Sequence, residues 1–236
     1  MKYSLRDAKK FERGAKKGWI YNSASDFENV NIVLLKLTGN HGKIRNEKSD
    51  RVYYILKGKG QFITKNENYV TGENDVVIIP RNTPYDFEPY DDKGLECLLI
   101  NCPAFDRKSE FKLDKLSYHK KLLKFEFKNA REISWDGWKG LAYNSKDDFK
   151  RASALYIEVT KRHGLSKTTK SDRIYYVLEG NGEFIIKDKK YKVDKTDVII
   201  VEKNTPYDYK ALGKGTLKMF MLHVPAFDPK YVVELE

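Results

Sequence analysis

The sequence predicts an all-β protein made of two tandem copies of one barrel. Two observations carry this. First, residues 17–106 return at 139–228 with no insertion: Arg173 follows Arg51 by 122 residues, and Tyr207 follows Tyr85 by the same 122. Lys17-Gly18, Tyr21-Asn22-Ser23 and His41-Gly42 return as Lys139-Gly140, Tyr143-Asn144-Ser145 and His163-Gly164. Residues 49–63, 82–86 and 103–106 return as 171–185, 204–208 and 225–228. A repeat of about 110 residues has the size of a domain. Second, short β-branched and aromatic runs alternate with Gly, Pro and Asn turns at spacings of about 8–12 residues, the pattern of an antiparallel sandwich or barrel.

The strands follow in order. Residues 51–56, Arg-Val-Tyr-Tyr-Ile-Leu, form one strand that stops at Gly58-Lys59-Gly60. Residues 61–64 lie at hairpin distance, Tyr69-Val70 begins a further strand, and 75–79 another before Pro80. Asn82-Thr83-Pro84 turns the chain, and 95–102 is the last strand, ended by Pro103. Several strands are apolar on both faces. One face then lines the barrel and the other packs, most simply, on the sister copy. In the connection 107–135, residues 110–116 read as a short helix and 120–127 as an alternating strand. Residues 1–10, the counterpart of that strand, are polar and are expected to be loosely held. The domains are expected at 1–112 and 113–236. They are expected to form a pseudo-dimer within the chain, with a true homodimer as the alternative.

Composition narrows the function. Of 236 residues, 40% are hydrophobic and 13% aromatic, enough for two cores. The net charge of +11 comes from lysines spread along the whole chain. No nucleic-acid motif accompanies them, so nucleic acid is not an expected partner. Attraction of an anionic ligand stays open. No signal-peptide core and no apolar run near 20 residues is visible, so no membrane partner is expected and cytoplasm is the expected location. Cys97 and Cys102 become Met219 and Val224 in the second copy. A shared disulfide or metal role is therefore not expected, and buried thiols fit better.

Two motifs resemble those of the cupin superfamily, in its RmlC-like jelly-roll form. The family's first motif runs His-x-His, a Glu, six residues and a Gly; here that Gly is Gly58 or Gly180, reached through Tyr-Tyr-(Ile/Val)-Leu. The second runs from an apolar strand into Pro-x-Gly-x-x-His; here it is residues 80–85, Pro-Arg-Asn-Thr-Pro-Tyr, and 202–207, Glu-Lys-Asn-Thr-Pro-Tyr. The resemblance covers nearly the whole chain and implies a bicupin: two double-stranded β-helix barrels in tandem. It departs at the metal ligands. The Glu position holds Arg51 and Arg173, and the last His position holds Tyr85 and Tyr207. The His-x-His stretch is 44–47, Ile-Arg-Asn-Glu, and 166–169, Ser-Lys-Thr-Thr. A guanidinium has no lone pair to give and repels a divalent cation. Neither a metal nor another cofactor is expected. His41 and His163 read as solvent-exposed loop histidines.

The resemblance points the Glu position inward, and strand alternation then places Arg51 and Tyr53 in the first lumen, with Tyr85 and Asn101. The second lumen receives Arg173, Tyr175, Tyr207 and His223. An inward arginine calls for an anion, and tyrosines offer donors and flat faces. The pockets thus hold a small anionic or sugar-like molecule, or else the arginines are met by protein groups and the tyrosines fill space. Three functions stay open. The first is a metal-free binding protein with a sensor or accessory role. The second is a metal-independent isomerase or epimerase of an activated sugar, worked by His223, Tyr207 and Arg173. The third is a structural bicupin without ligand.

Overall fold

The computed structural model describes residues 1–118 and 120–235. Contacts divide the chain into two units, Asp7–Lys128 and Met1–Arg6 with Asn129–Glu236. The first unit carries a seven-stranded antiparallel sheet ordered Leu123–Phe125, Val76–Ile79, Asp50–Gly58, Leu95–Cys102, Asn31–Leu37, Lys16–Ile20 and Lys9–Arg13. The shorter strands that complete the barrel are Asp86–Pro89, Gly60–Ile63 and Asn68–Thr71 in one sheet, and Ile44–Asn46 paired with Glu110–Lys112. The second unit repeats this plan. Its seven-stranded sheet is ordered Lys2–Tyr3, Val198–Val201, Asp172–Glu179, Leu217–Val224, Ser153–Val159, Trp138–Ala142 and Arg131–Trp135. Its five-stranded partner is ordered Lys189–Val193, Gly182–Ile186, Tyr207–Ala211, Ser166–Thr168 and Val232–Glu234. Each unit is a jelly-roll barrel.

Period-two alternation fills both interiors. In the first unit Tyr53, Ile55, Leu35, Leu37, Val77, Cys97, Phe62 and Phe87 share one buried cluster. In the second, Tyr175, Val177, Leu155, Ile157, Ile199, Met219, Phe184 and Tyr209 do the same. The opposite face is buried too: Val52 and Tyr54 are at most 1% exposed. The strand is apolar on both faces because it is wet on neither. The Asn-Thr-Pro turns work because Asn82 and Asn204 both sit at φ 63°, a left-handed conformation that asparagine tolerates. Cys97 and Cys102 are buried and form no disulfide with each other.

Three local expectations are corrected. The helix expected over 110–116 is not formed. Instead a 3-10 turn, Arg107–Ser109, is capped by the Asp106 side chain, and Glu110–Lys112 then pairs in extended form with Ile44–Asn46. Residues 1–10 are not loose: Lys2 and Tyr3 pair with Ile199 and Val198, and Lys9–Arg13 pairs with Lys16–Ile20. Contacts divide the chain at 128/129. Leu123–Phe125 closes the edge of the first unit's sheet at Val76–Ile78, as Lys2–Tyr3 closes the second's. The strand expected over 120–127 shortens to Leu123–Phe125.

Gly58 and Gly180 adopt φ +82° and +79°, and a Cβ there would lie 2.3 Å from the Gly94 carbonyl oxygen and 2.2 Å from that of Thr216. Both strain and clash follow from any side chain. Gly58→Ala and Gly180→Ala are each expected to lower stability by roughly 1–3 kcal/mol or more. Urea unfolding measures this, and wild-type midpoints in both variants would contradict it.

Candidate functional site

The two barrel interiors carry the same arginine but resolve its charge differently. In the first, Arg51 sits on the strand Asp50–Gly58, opposite Asn101 and Ile79. It is 3% exposed. Its Nη1 donates to the Tyr85 hydroxyl at 2.8 Å, and its Nη2 donates to the Glu110 carboxylate. Burial opposes the Arg51 charge, but Tyr85, Tyr53 and Glu110 outweigh it and hold the guanidinium firmly protonated. Tyr53 and Tyr85 share a hydroxyl–hydroxyl bond of 2.6 Å and are fully buried, which pushes both phenols up. Asn101 donates to the Asn31 side chain at 2.9 Å. All four residues expected in this lumen are therefore brought together, and protein groups meet the Arg51 Nη atoms, both tyrosine hydroxyls and the Asn101 amide nitrogen, while Arg51 Nε and Asn101 Oδ1 are without a partner. The completing anion, Glu110, was missed, because its segment read as a helix.

The second interior contains a cavity of about 690 Å³. Arg173, His223, Tyr209, His163 and Ser166 line it, with Leu155, Ile157 and Met221 as apolar wall and Trp135, Trp138 and Ile133 on one side. Arg173 is 4% exposed, and its guanidinium carbon lies 5.1 Å from the centre of the Tyr207 ring. Among the described residues Arg173 has no ion pair, and its Nε is unpartnered. The equivalent of Glu110 is Val232, which cannot answer the charge.

His223 faces Arg173 directly across paired strands. Both of its ring nitrogens are buried and unpartnered. Burial first, then Arg173, holds its pKa well below the usual value, so the ring is neutral. His163 is not a loose surface residue. Its ring stacks on Tyr209 at 4.4 Å, its Nδ1 meets the Gly164 carbonyl at 2.8 Å, and burial keeps it neutral as well. His41 is likewise stacked, on Phe87 at 4.5 Å, with its pKa pushed down to about 3 by burial and then by Lys16. Stacking on an inward aromatic, which spacing alone did not reveal, corrects the solvent-exposed reading of both.

Of the residues expected in the second lumen, Arg173 and His223 line the cavity. Tyr175 and Tyr207 are fully buried and lie behind it; the Tyr175 hydroxyl donates to that of Tyr207 at 3.2 Å. Tyr209, Trp135 and Trp138 were missed. Their signal was in the repeat: they replace Phe87, Arg13 and Lys16 of the first copy.

The metal-ligand positions of the cupin motif do not fit a metal ion here. Arg51 and Arg173 are buried cations at the carboxylate position. Their motif partners are Tyr85 and Tyr207, and no cluster of three His, Cys, Asp or Glu exists among the described residues. A hydroxyl pair beside a fixed positive charge cannot compete with water for a divalent cation.

Two outcomes follow from this geometry. Glu110→Ala strands the Arg51 charge and is expected to cost about 3 kcal/mol, the low end for breaking a buried pair, because the Glu110 side chain is 27% accessible. A cost under 1 kcal/mol, measured by urea unfolding, would show that water replaces the carboxylate. His41, His163 and His223 refuse protons that the unfolded chain accepts near pH 6.5. Stability is therefore complete above that pH and falls below it, with a slope approaching about 1.4 kcal/mol per pH unit for each histidine. Unfolding at several pH values should show the fall, and His223→Asn should remove one histidine's share. A flat profile from pH 7.5 to about 5 would contradict the neutral, buried assignment.

Comparison with known proteins agrees with this architecture. The cupin domain family matches residues 156–223, and the AraC-like ligand binding domain family matches residues 51–134. An uncharacterised protein of Methanocaldococcus jannaschii is 33% identical over 71 residues, which is 30% of this chain and 57% of that protein, so the match spans less than two thirds of the relative. Among solved structures, a variant of Bacillus subtilis oxalate decarboxylase superposes with TM-score 0.82 at 14% identity, over 100% of this chain and 79% of that one. The oxalate decarboxylase of Lactobacillus farciminis superposes with TM-score 0.81 at 12% identity, over 99% and 88%. At such identity the likeness is one of fold. With a cupin-type barrel in each half, the chain belongs to the cupin superfamily and is a bicupin.

Proposed function

We propose that this protein binds a small anionic molecule in its second barrel, in a non-catalytic sensor or accessory role, while the first barrel is its self-satisfied counterpart. One observation carries the proposal: Arg51 is answered by Glu110, whereas Arg173 faces a cavity and makes no ion pair among the described residues, the two acids of its lining, Asp147 and Glu234, being exposed. A buried guanidinium is costly without an anion, and a ligand that supplies one recovers the interaction. The cavity volume lies within the ordinary range for small-molecule sites. The Tyr207 ring backs the guanidinium, and Arg173 itself lines the cavity.

The match to the AraC-like ligand binding domain falls on the first barrel, residues 51–134, and so supports small-molecule binding as a theme of the fold and not the choice of barrel. The chemistry of the manganese-containing oxalate decarboxylases is not carried over, because a guanidinium stands where the cupin motif needs a carboxylate ligand. The epimerase reading is weakened by the same geometry. His223 is a poor base with its pKa so far depressed, and the Tyr207 hydroxyl is turned to Tyr175 rather than to the cavity.

Thermal denaturation with a panel of carboxylates and sugar phosphates tests the proposal. A binder at about 100 times its Kd adds roughly 2.7 kcal/mol. For a chain of this size that is a rise of about 5–10 °C in Tm. The rise should vanish in Arg173→Leu and persist in Arg51→Leu. No rise with any anion, or a rise undiminished in Arg173→Leu, would overturn it.

A further inference from the structure

The repeat indicates what kind of anion the second barrel takes, an inference that rests on the binding function just proposed. Glu110 and Val232 occupy the same place in their barrels. Glu110 pairs with Asn46 at the start of Glu110–Lys112, and Val232 pairs with Thr168 at the start of Val232–Glu234. Each pair is offset by the same 122 residues, so the register is identical. Arg51 and Arg173 are matched as well, opposite Asn101 and His223. The Glu110 carboxylate thus marks, inside this molecule, the seat that an anion takes against the barrel arginine. In the second barrel that seat is empty of protein acid. Glu234 lines the cavity further along the same strand but is exposed and makes no ion pair with Arg173. Asp147, the other acid of the lining, is exposed, and Asp208 outside it is engaged by Arg162 and the Gly164 amide.

The rest of the cavity has changed in the opposite direction. Where the first barrel has Arg13 and Lys16, the second has Trp135 and Trp138, stacked with centroids 5.2 Å apart and planes 17° apart. Both border the cavity, and Trp135 is 63% exposed. Cations that welcome further negative charge have been exchanged for flat apolar surface.

We propose that the ligand is a monocarboxylate with a flat apolar body, its carboxylate seated on Arg173 where Val232 replaces Glu110, its body against Trp138 and Trp135. His223, unpartnered and facing Arg173, supplies a neutral N–H to the same carboxylate or to a polar group beside it. One seat beside one buried cation selects a single negative charge, the other cations of the lining, Arg131 and Lys146, being exposed to water, and the indoles select against a purely polar ligand such as a sugar phosphate.

The fold supplies its own reporter, since Trp19 is the one tryptophan outside the cavity lining and Trp19→Phe leaves two tryptophans, both at the cavity. In that background, phenylpropionate is titrated by fluorescence against phenylpropionamide and propionate. Phenylpropionate should saturate the signal and bind about tenfold or more tighter than either of the others. Val232→Glu should restore the internal seal, weakening phenylpropionate binding about tenfold or more while leaving the fold intact by urea unfolding. Val232→Gln, equal in size but uncharged, should weaken it less. If phenylpropionate binds through Arg173 but Val232→Glu has no effect, or no more than Val232→Gln, the assigned seat is wrong and the anion-binding function stands. If sugar phosphates bind through Arg173 and phenylpropionate does not, the ligand class is wrong and anion binding again stands. If no anion binds, or the amide binds as tightly as the acid, both fall together.

Discussion

A guanidinium set into the wall of a small barrel must be met by a negative charge, and the organisation of both units follows from that demand. The arginine stands on a strand whose neighbours are fully buried, so water cannot solvate it well. In the first unit the chain itself answers, through Glu110 and a hydroxyl network of Tyr85 and Tyr53. In the second the chain withholds the acid and leaves a cavity instead. The repeat turns one protein into an internal comparison: the same wall, in the same register, with its charge closed in one copy and open in the other.

The surrounding residues have shifted consistently with that difference. Asn101 is tied to Asn31 in the closed barrel, while His223 at the same place is untied in the open one. Lys16 reaches the His41 carbonyl at 2.9 Å in the first unit, and Trp138 takes its position in the second. A neutral histidine beside a fixed cation adds hydrogen-bonding capacity without adding charge. The metal-binding arrangement of the motif has been replaced by its electrostatic inverse. Where the motif places anionic and imidazole ligands for a cation, this chain places a buried cation of its own.

The barrel architecture was legible in the sequence because it is written in local signals: β-branched runs of period two, Gly58 and Gly180 where φ is positive, and an uninterrupted repeat. The inward set Arg51, Tyr53, Tyr85, Arg173, Tyr207 and His223 rested on the family resemblance, which points the Glu position inward, with alternation extending it along the strands. What escaped the sequence lies in segments whose conformation is set by distant partners. Glu110 sits in a stretch of helix-forming residues that becomes a strand only because Ile44–Asn46 offers an edge. Residues 1–3 are polar yet ordered, because Val198 and Ile199 need a neighbour. His163 lies in a turn, where spacing carries no information about stacking, and only the fold sets it on Tyr209. Comparing the copies for differences rather than for identities isolates Val232, Trp135, Trp138 and Tyr209, the residues that make the second barrel distinct.

The most direct test of the central claim is anomalous diffraction from crystals soaked with a bromine-substituted phenylpropionate. The account places one bromine peak per chain, beside Trp135 and Trp138, with carboxylate density on Arg173 and the first barrel still closed by Glu110. A peak inside the first barrel with Glu110 displaced, or bromine bound in the second with its carboxylate turned away from Arg173, would contradict it.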